Sequence, residues 1–394
     1  MPSIRSLTKD ILISLSISLC LIVLAEVSFI FMKSIKANFS RSEREERKYQ
    51  DRFIAFDKKV PIDILKKRQE EVGDHLMYKP WIQIGNYDHK GKYSTVISGY
   101  RQTNNSSRLK TCENLKTIWM FGGSTTYGVG VPSSQSIPSQ LAEIAQNKNA
   151  CINVFNFGVP YHYSKQEAIH FISKLFETDT LPDIAVFLDG LNEFKIPGAV
   201  IRGEPFFTPL LVSLIGKSRN PSTAVVASSS PINLKVIRYI KRKISKPLKI
   251  TSSTAYSNFE LPIGFNEKSA AEEIKSRLLK NTRHIGSICE AYAVDCYRFL
   301  QPVAAVDYSP PKDDSLTSWV INKPDRTERF KHGYGLIRSS KEFQEINGIS
   351  FHDISSIFKE YVGIPYISSG HYSPRANKEI ANKIFEKIST SIEP

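Results

Sequence analysis

The chain has 394 residues, 41% apolar and 11% aromatic, which is enough to bury a sizeable core and excludes a disordered chain. Lys and Arg number 53 against 39 Asp and Glu, a formal charge of +14 that suits an anionic partner such as a membrane surface or an acidic polymer. No stretch interleaves aromatics with Lys and Arg, and the basic excess is spread along the chain, which argues against nucleic acid as a partner.

Ile11 to Met32 form an apolar run whose only charged member is Glu26, long enough at about 1.5 Å per residue to span a hydrocarbon core. No A-x-A-like cleavage site follows, so residues 1–36 read as an uncleaved signal anchor in the lipid bilayer (through residues 11–32) rather than a cleaved signal peptide. Leu19 stands where a lipoprotein signal needs a small residue, which makes Cys20 a membrane-buried thiol. Orientation is contested. Arg5 and Lys9 precede the run, while Lys33, Lys36, Arg41, Arg44, Arg47 and Lys48 follow it, and the positive-inside rule taken literally keeps the following domain cytoplasmic.

Residues 37–110 form a second unit. Ser40 to Glu71 is highly charged with irregular helical spacing, as expected of a solvated stalk without chemistry. Tyr78 to Thr103 turns to aromatics, glycines and short alternating runs, which predicts a small β-ribbon.

Residues 111–394 carry the main domain. Thr117-Ile118-Trp119-Met120-Phe121 is a short apolar strand that runs into Gly122-Gly123-Ser124 and then a helix from Ile137 to Ala145. The order repeats with a strand at Ile152–Phe157, a helix at Ser164–Phe176 and a strand at Ile184–Leu188. Later come a helix from Ala270 to Tyr292, a strand from Val294 to Leu300, a helix near Lys341, a strand around Ile349 to Asp353 and a closing helix from Pro374 to Ile388. Such repetition predicts a parallel sheet covered by helices. Two stretches interrupt it: about 197–265, which includes the basic patch Arg238 to Lys243 and reads as an insertion over one sheet edge, and about 303–331, rich in Pro, Asp and Lys, which reads as a loop near the site.

Four cysteines remain beyond the apolar run. Cys112 and Cys151 each precede a strand, and those strands are neighbours in the expected sheet, while Cys289 and Cys296 flank a helix-to-strand turn. Pairing as Cys112–Cys151 and Cys289–Cys296, with buried free thiols as the alternative, points to an oxidising compartment and an extracytoplasmic domain on a single-pass membrane protein.

In a parallel α/β sheet, functional groups gather at the C-terminal strand ends, where loops meet helix N-termini. Three loops there carry Ser124, Gly158 and Asn192, a set suited to acyl transfer: a hydroxyl to attack an ester carbonyl, with the Ser124 and Gly158 N–H groups and the Asn192 amide as an oxyanion hole. A serine needs a base, and His371 is the histidine placed in a loop just before the last helix. No Gly-x-x-x-x-Gly-Lys, dinucleotide fingerprint, His-Glu-x-x-His or paired Cys-x-x-Cys is present, so neither a nucleotide, a metal nor another cofactor is expected.

These residues resemble the SGNH/GDSL hydrolase superfamily. Phe121-Gly122-Gly123-Ser124-Thr125-Thr126-Tyr127-Gly128 resembles its first block with Gly123 in place of Asp; Gly158 resembles the second, Gly190-Leu191-Asn192 the third, and His371 in Ser-Gly-His-Tyr-Ser-Pro the fifth. The likeness covers about Thr117 to Ile388, and Tyr100-Arg101-Gln102-Thr103 and Phe299-Leu300-Gln301-Pro302 look like features of membrane-anchored relatives associated with surface polysaccharides. The resemblance implies a flavodoxin-like three-layer α/β/α fold and a serine esterase or acylhydrolase. It would act through an acyl-Ser124 intermediate, hydrolysing or transferring O-acyl groups, such as acetyl, on a glycan or lipid-linked substrate. The family usually holds an Asp three residues before the His, where this chain has Ser368, so Ser368 and Asp353 are the candidates for orienting His371. That departure supports an alternative reading, a catalytically impaired, membrane-tethered glycan-binding or assembly protein with the same fold.

Overall fold

The computed structural model describes residues 60–72, 76–105, 112, 114–208, 258–310, 323–368 and 370–392. The expected membrane span at Ile11–Met32, the orienting charges around it and the basic patch at Arg238–Lys243 lie outside the described residues. Among the described residues no helix is long and apolar enough to cross a membrane.

The central strand β6 (Lys116–Gly122) shows why the sheet is buried on both faces. Its side chains alternate, Ile118 and Met120 to one side, Trp119 and Phe121 to the other, and all four are buried. On the first side Leu141 and Ile144 of α3 (Ile137–Asn147) and Ile380, Ile384 and Ile388 of α9 (Pro374–Ile388) pack over the sheet. On the second, Phe171 of α4 (Ser164–Glu177) and Ile285 and Cys289 of α7 (Glu267–Tyr292) do so. Both α3 and α9 open on a serine that accepts from the third residue on, Ser136 from Ser139 N–H and Ser373 from Ala376 N–H, with a proline in the first turn.

The sheet runs β10-β9-β8-β6-β7-β5-β4-β3. Its parallel part, β7 (Ile152–Asn156), β6, β8 (Ile184–Asp189), β9 (Asp295–Leu300) and β10 (Ser350–Asp353), has the flavodoxin-like order 2-1-3-4-5 when renumbered from β6. The expected ribbon is divided. β1 (Leu76–Lys79) and β2 (Gln83–Asn86) make a separate hairpin, while β3 (His89–Lys90), β4 (Thr95–Ile97) and β5 (Tyr100–Arg101) continue the main sheet antiparallel, which makes it mixed rather than all parallel. Both cysteine bridges form, with Cα–Cα separations of 5.9 Å for Cys112–Cys151 and 6.1 Å for Cys289–Cys296.

Several expectations need correction. The described end of the expected stalk is packed rather than solvated: α1 (Ile62–Glu71) buries Leu65 against Val131 and Ile367, and Val72 is buried just beyond it. The stretch after Pro197 starts as core, because α6 (Pro197–Arg202) buries Ala199, Val200 and Ile201 beside Leu278 of α7. Part of the loop expected at 303–331 belongs to α8 (Pro324–Arg338), whose Phe330, Tyr334 and Ile337 lie on one buried face at spacings of four and three. Near Lys341 there is one 3-10 turn, Lys341–Phe343.

Candidate active site

Ser124 is the first residue of a one-turn helix, α2 (Ser124–Tyr127), that leaves the C-terminal end of β6. Gly123 before it packs so closely that an added Cβ would lie 2.4 Å from Asn192 Nδ2 and 3.1 Å from the His162 carbonyl. An aspartate at this position would displace Asn192, which gives a physical reason for glycine here.

His371 comes from the far end of the chain and reaches the same edge. Its Nε2 lies 2.9 Å from Ser124 Oγ, and its Nδ1 lies 2.8 Å from Ser368 Oγ. If Nε2 accepts the Ser124 proton, Nδ1 carries the ring hydrogen and donates it to Ser368, whose oxygen also accepts from the His371 backbone N–H at 3.2 Å. The loop is folded back on itself: Tyr366 and Tyr372 form an antiparallel bridge, Ile367 N–H donates to the His371 carbonyl at 2.8 Å, and Ser373 N–H to that of Pro365 at 2.7 Å. The hydroxyl of buried Tyr372 lies 2.9 Å from Gln301 Oε1 and 2.5 Å from the Pro302 carbonyl, its one proton shared between these acceptors, so the Phe299–Pro302 motif serves to seat the residue after the histidine. Of the two candidate orienters, Ser368 is at the ring. Asp353 is committed elsewhere, accepting from Arg338 Nε at 2.9 Å and from Ser355 N–H at 2.9 Å.

The three expected oxyanion donors fare differently. Ser124 N–H is the first of its helix and has no acceptor within it. Asn192, in α5 (Leu191–Lys195), donates one amide hydrogen to the His162 carbonyl at 2.6 Å, with its Nδ2 close beside Gly123. Gly158 has a single N–H, and this goes to Asn156 Oδ1 at 3.0 Å, so it is not presented to a substrate. Asn156, fully buried at the end of β7, makes that bond while its amide donates to the carbonyls of Thr126 (3.0 Å) and Tyr127 (3.3 Å), bracing the serine turn. Sequence reasoning missed this role; an asparagine closing an apolar strand two residues ahead of Gly158 was the available signal.

Beneath Asn192 sits a buried polar layer. Glu193 accepts from Ser164 N–H and Gly190 N–H, both at 2.8 Å, tying two loops together, and burial followed by the charge of Asp189 pushes its pKa up to about 8 against those two donors. Glu167 is likewise raised well above the usual range, by burial first and then by Asp189. Asp189 lies 3.4 Å from Arg298, both fully enclosed. His162 Nε2 is 3.1 Å from the Ile84 carbonyl and burial lowers its pKa to about 4, so it is neutral near pH 7. Among the described residues no group of three His, Cys, Asp or Glu side chains is placed to hold a metal ion.

No protein-family model matches the chain, and no curated protein matches it significantly. Solved structures similar to it include a member of the lipolytic protein G-D-S-L family from Veillonella parvula, at 12% identity and TM-score 0.38, covering 70% of this chain and 98% of that one. A lipase/acylhydrolase from Enterococcus faecalis is similar at 13% identity and TM-score 0.37, covering 71% and 98%. An acetyl xylan esterase is similar at 11% identity and TM-score 0.37, covering 69% and 99%. Ser124 and His371, far apart in the chain, meet at one edge of a sheet ordered 2-1-3-4-5, with the Asn192 amide close to Gly123.

Proposed function

We propose that this chain is a serine ester hydrolase working through an acyl-Ser124 intermediate, which removes or transfers O-acyl groups such as acetyl on a glycan or lipid-linked substrate. The observation that carries this reading is the 2.9 Å contact between Ser124 Oγ and His371 Nε2, with Nδ1 held on the opposite side of the ring. Ser124 Oγ attacks the ester carbon as its proton passes to Nε2, and the oxyanion takes hydrogen bonds from Ser124 N–H and the second Asn192 amide hydrogen. Collapse breaks the bond to the alcohol oxygen, which leaves with the proton from Nε2. Water or a sugar hydroxyl then attacks the acyl carbon, gives its proton to Nε2, and Ser124 Oγ leaves and recovers that proton.

Ser368 holds the tautomer that this chemistry needs. A hydroxyl carries no charge to balance the imidazolium, so the pair is a dyad with less base strength than a carboxylate-supported triad. That deficit, together with the diverted Gly158 N–H, favours a second reading in which the same fold serves as a catalytically weak, membrane-tethered glycan-binding or assembly protein. The apolar run Ile11–Met32 supports a bilayer anchor, and the two cysteine bridges support an extracytoplasmic domain.

The deciding experiment is p-nitrophenyl acetate turnover by the full chain in detergent, beside Ser124→Ala and His371→Ala. Loss of turnover in both variants supports the Ser–His mechanism. Equal background rates in all three, without fluorophosphonate labelling of Ser124, would favour the non-enzymatic reading.

A further inference from the structure

Among the described residues three arginines are enclosed by the fold, and two of them face a carboxylate: Arg298 lies 3.4 Å from Asp189, and Arg329 pairs with Glu267. Arg101 is different. It is 0% exposed and has no ion pair among the described residues. Glu71, the acidic group whose charge reaches it, turns Oε1 to Tyr93 N–H and, at 2.9 Å, Ser94 N–H. Burying a cation without a counter-ion is costly, so the contacts it makes instead are informative.

All of them fall on one short stretch. Nη1 donates to the carbonyls of Tyr127 and Gly128, Nη2 to that of Val131, each at 2.7 Å, and Nε donates to Ser133 Oγ at 3.0 Å. The guanidinium lies 4.9 Å from the centre of the Tyr127 ring. The turn it grips is the one that carries Ser124, because Gly128 N–H and Val129 N–H both donate to the Ser124 carbonyl at 3.0 Å. Gly128 has φ +89°, and a Cβ there would sit 3.0 Å from Nη1 and 2.9 Å from Ser136, so the grip also dictates a glycine.

The route by which Arg101 arrives supports the same conclusion. The antiparallel extension joins the parallel core at the register pair Arg101↔Asn156, and Asn156 is the other side chain that braces this turn, through Thr126 and Tyr127. One strand pairing therefore delivers both braces.

We infer that Arg101 is a positioning residue for the nucleophile: its guanidinium fork fixes the Tyr127–Val131 backbone and through it the placement of Ser124 against His371. The inference rests on the reading of Ser124 as the nucleophile. A lysine could keep the charge but cannot reach three carbonyls in the plane of a fork, and a methionine keeps only the volume.

The test compares the wild-type full chain in detergent with Arg101→Met, Arg101→Lys and Arg101→Ala, using p-nitrophenyl acetate kcat and KM. Active sites are titrated with a fluorophosphonate, so each kcat is expressed per labelled serine. Arg101→Met should lower kcat per site by about 10- to 100-fold with KM moved by less than about threefold, since small misplacements of reacting groups cost that much. Arg101→Lys should fall between the two, and millimolar guanidinium, but not sodium chloride at equal ionic strength, should raise kcat of Arg101→Ala. A residue that served stability alone would reduce the number of titratable sites and leave kcat per site unchanged; that outcome, seen in whichever variants fold, overturns the inference. A wild-type chain with neither turnover nor labelling overturns the hydrolase reading and this one with it, whereas an active wild type matched per site by Arg101→Lys and Arg101→Met overturns this one alone.

Discussion

The two halves of the Ser–His pair are held by unlike means. The serine turn is built into the centre of the sheet and clamped by buried polar side chains, Arg101 and Asn156, on five carbonyl contacts between Thr126 and Val131. The histidine loop, between β10 and α9, is held by one antiparallel bridge, the single hydroxyl of Tyr372 and the half-buried hydroxyl of Ser368. On the proposed reading, the contrast teaches that a serine nucleophile is preorganised while its histidine base is only oriented, so the rate should be limited on the histidine side.

The largest effects should come from removing either partner. Ser124→Ala and His371→Ala should each lower p-nitrophenyl acetate kcat by about 10³-fold or more, with the double variant scarcely worse than either single, because the two act as a unit; additive losses would break the pairing. Asn192→Ala should cost about 10²-fold in kcat, measured at saturating substrate, as loss of one oxyanion donor does. Ser368→Asp should move the other way and raise kcat about tenfold by supplying the missing charge behind Nδ1, whereas an unchanged or lower rate would mean that the serine side, not the histidine side, is limiting. The smallest effect concerns stability. Glu193 has a folded pKa raised to about 8 from an ordinary 4.5, so its contribution is complete below about pH 4.5 and is lost as pH rises through 8. His162, held down to about 4, is neutral in both folded and unfolded chains above about pH 7 and adds no slope there. Urea unfolding should therefore show about 1 kcal/mol less stability at pH 8 than at pH 7 from this group, and a flat profile would argue that its two backbone donors outweigh its burial.

The parallel core was legible because β6, β7 and β8 are short apolar runs that end in glycine- or asparagine-bearing loops, and the histidine was legible because Ser373-Pro374 announces the last helix. The strands β3–β5 were legible as part of a ribbon, but their joining to the main sheet was not, since strands of two or three residues carry little to specify a partner, which is chosen by long-range pairing. α8 was hidden because a proline, an aspartate and three arginines, Arg329 itself buried, mask a face whose large apolar members are Phe330, Tyr334 and Ile337. The fate of the Gly158 N–H was beyond sequence reading for a different reason: it depends on which way the Asn156 side chain turns, not on residue type. The same holds for Asp353, which a charged neighbour on α8 captures.

The contact of Leu65 with Val131 and Ile367 has a practical side. Ile367 sits next to Ser368, and Val131 closes the stretch gripped by Arg101, so the segment leading in from the N-terminus covers the seam between both halves of the pair. Trimming the chain after Val72 to obtain a soluble fragment would uncover two buried aliphatic side chains at that seam, and its kinetics would be those of a damaged protein. A cut intended to free the folded unit intact belongs before Val60, which packs on the same cluster.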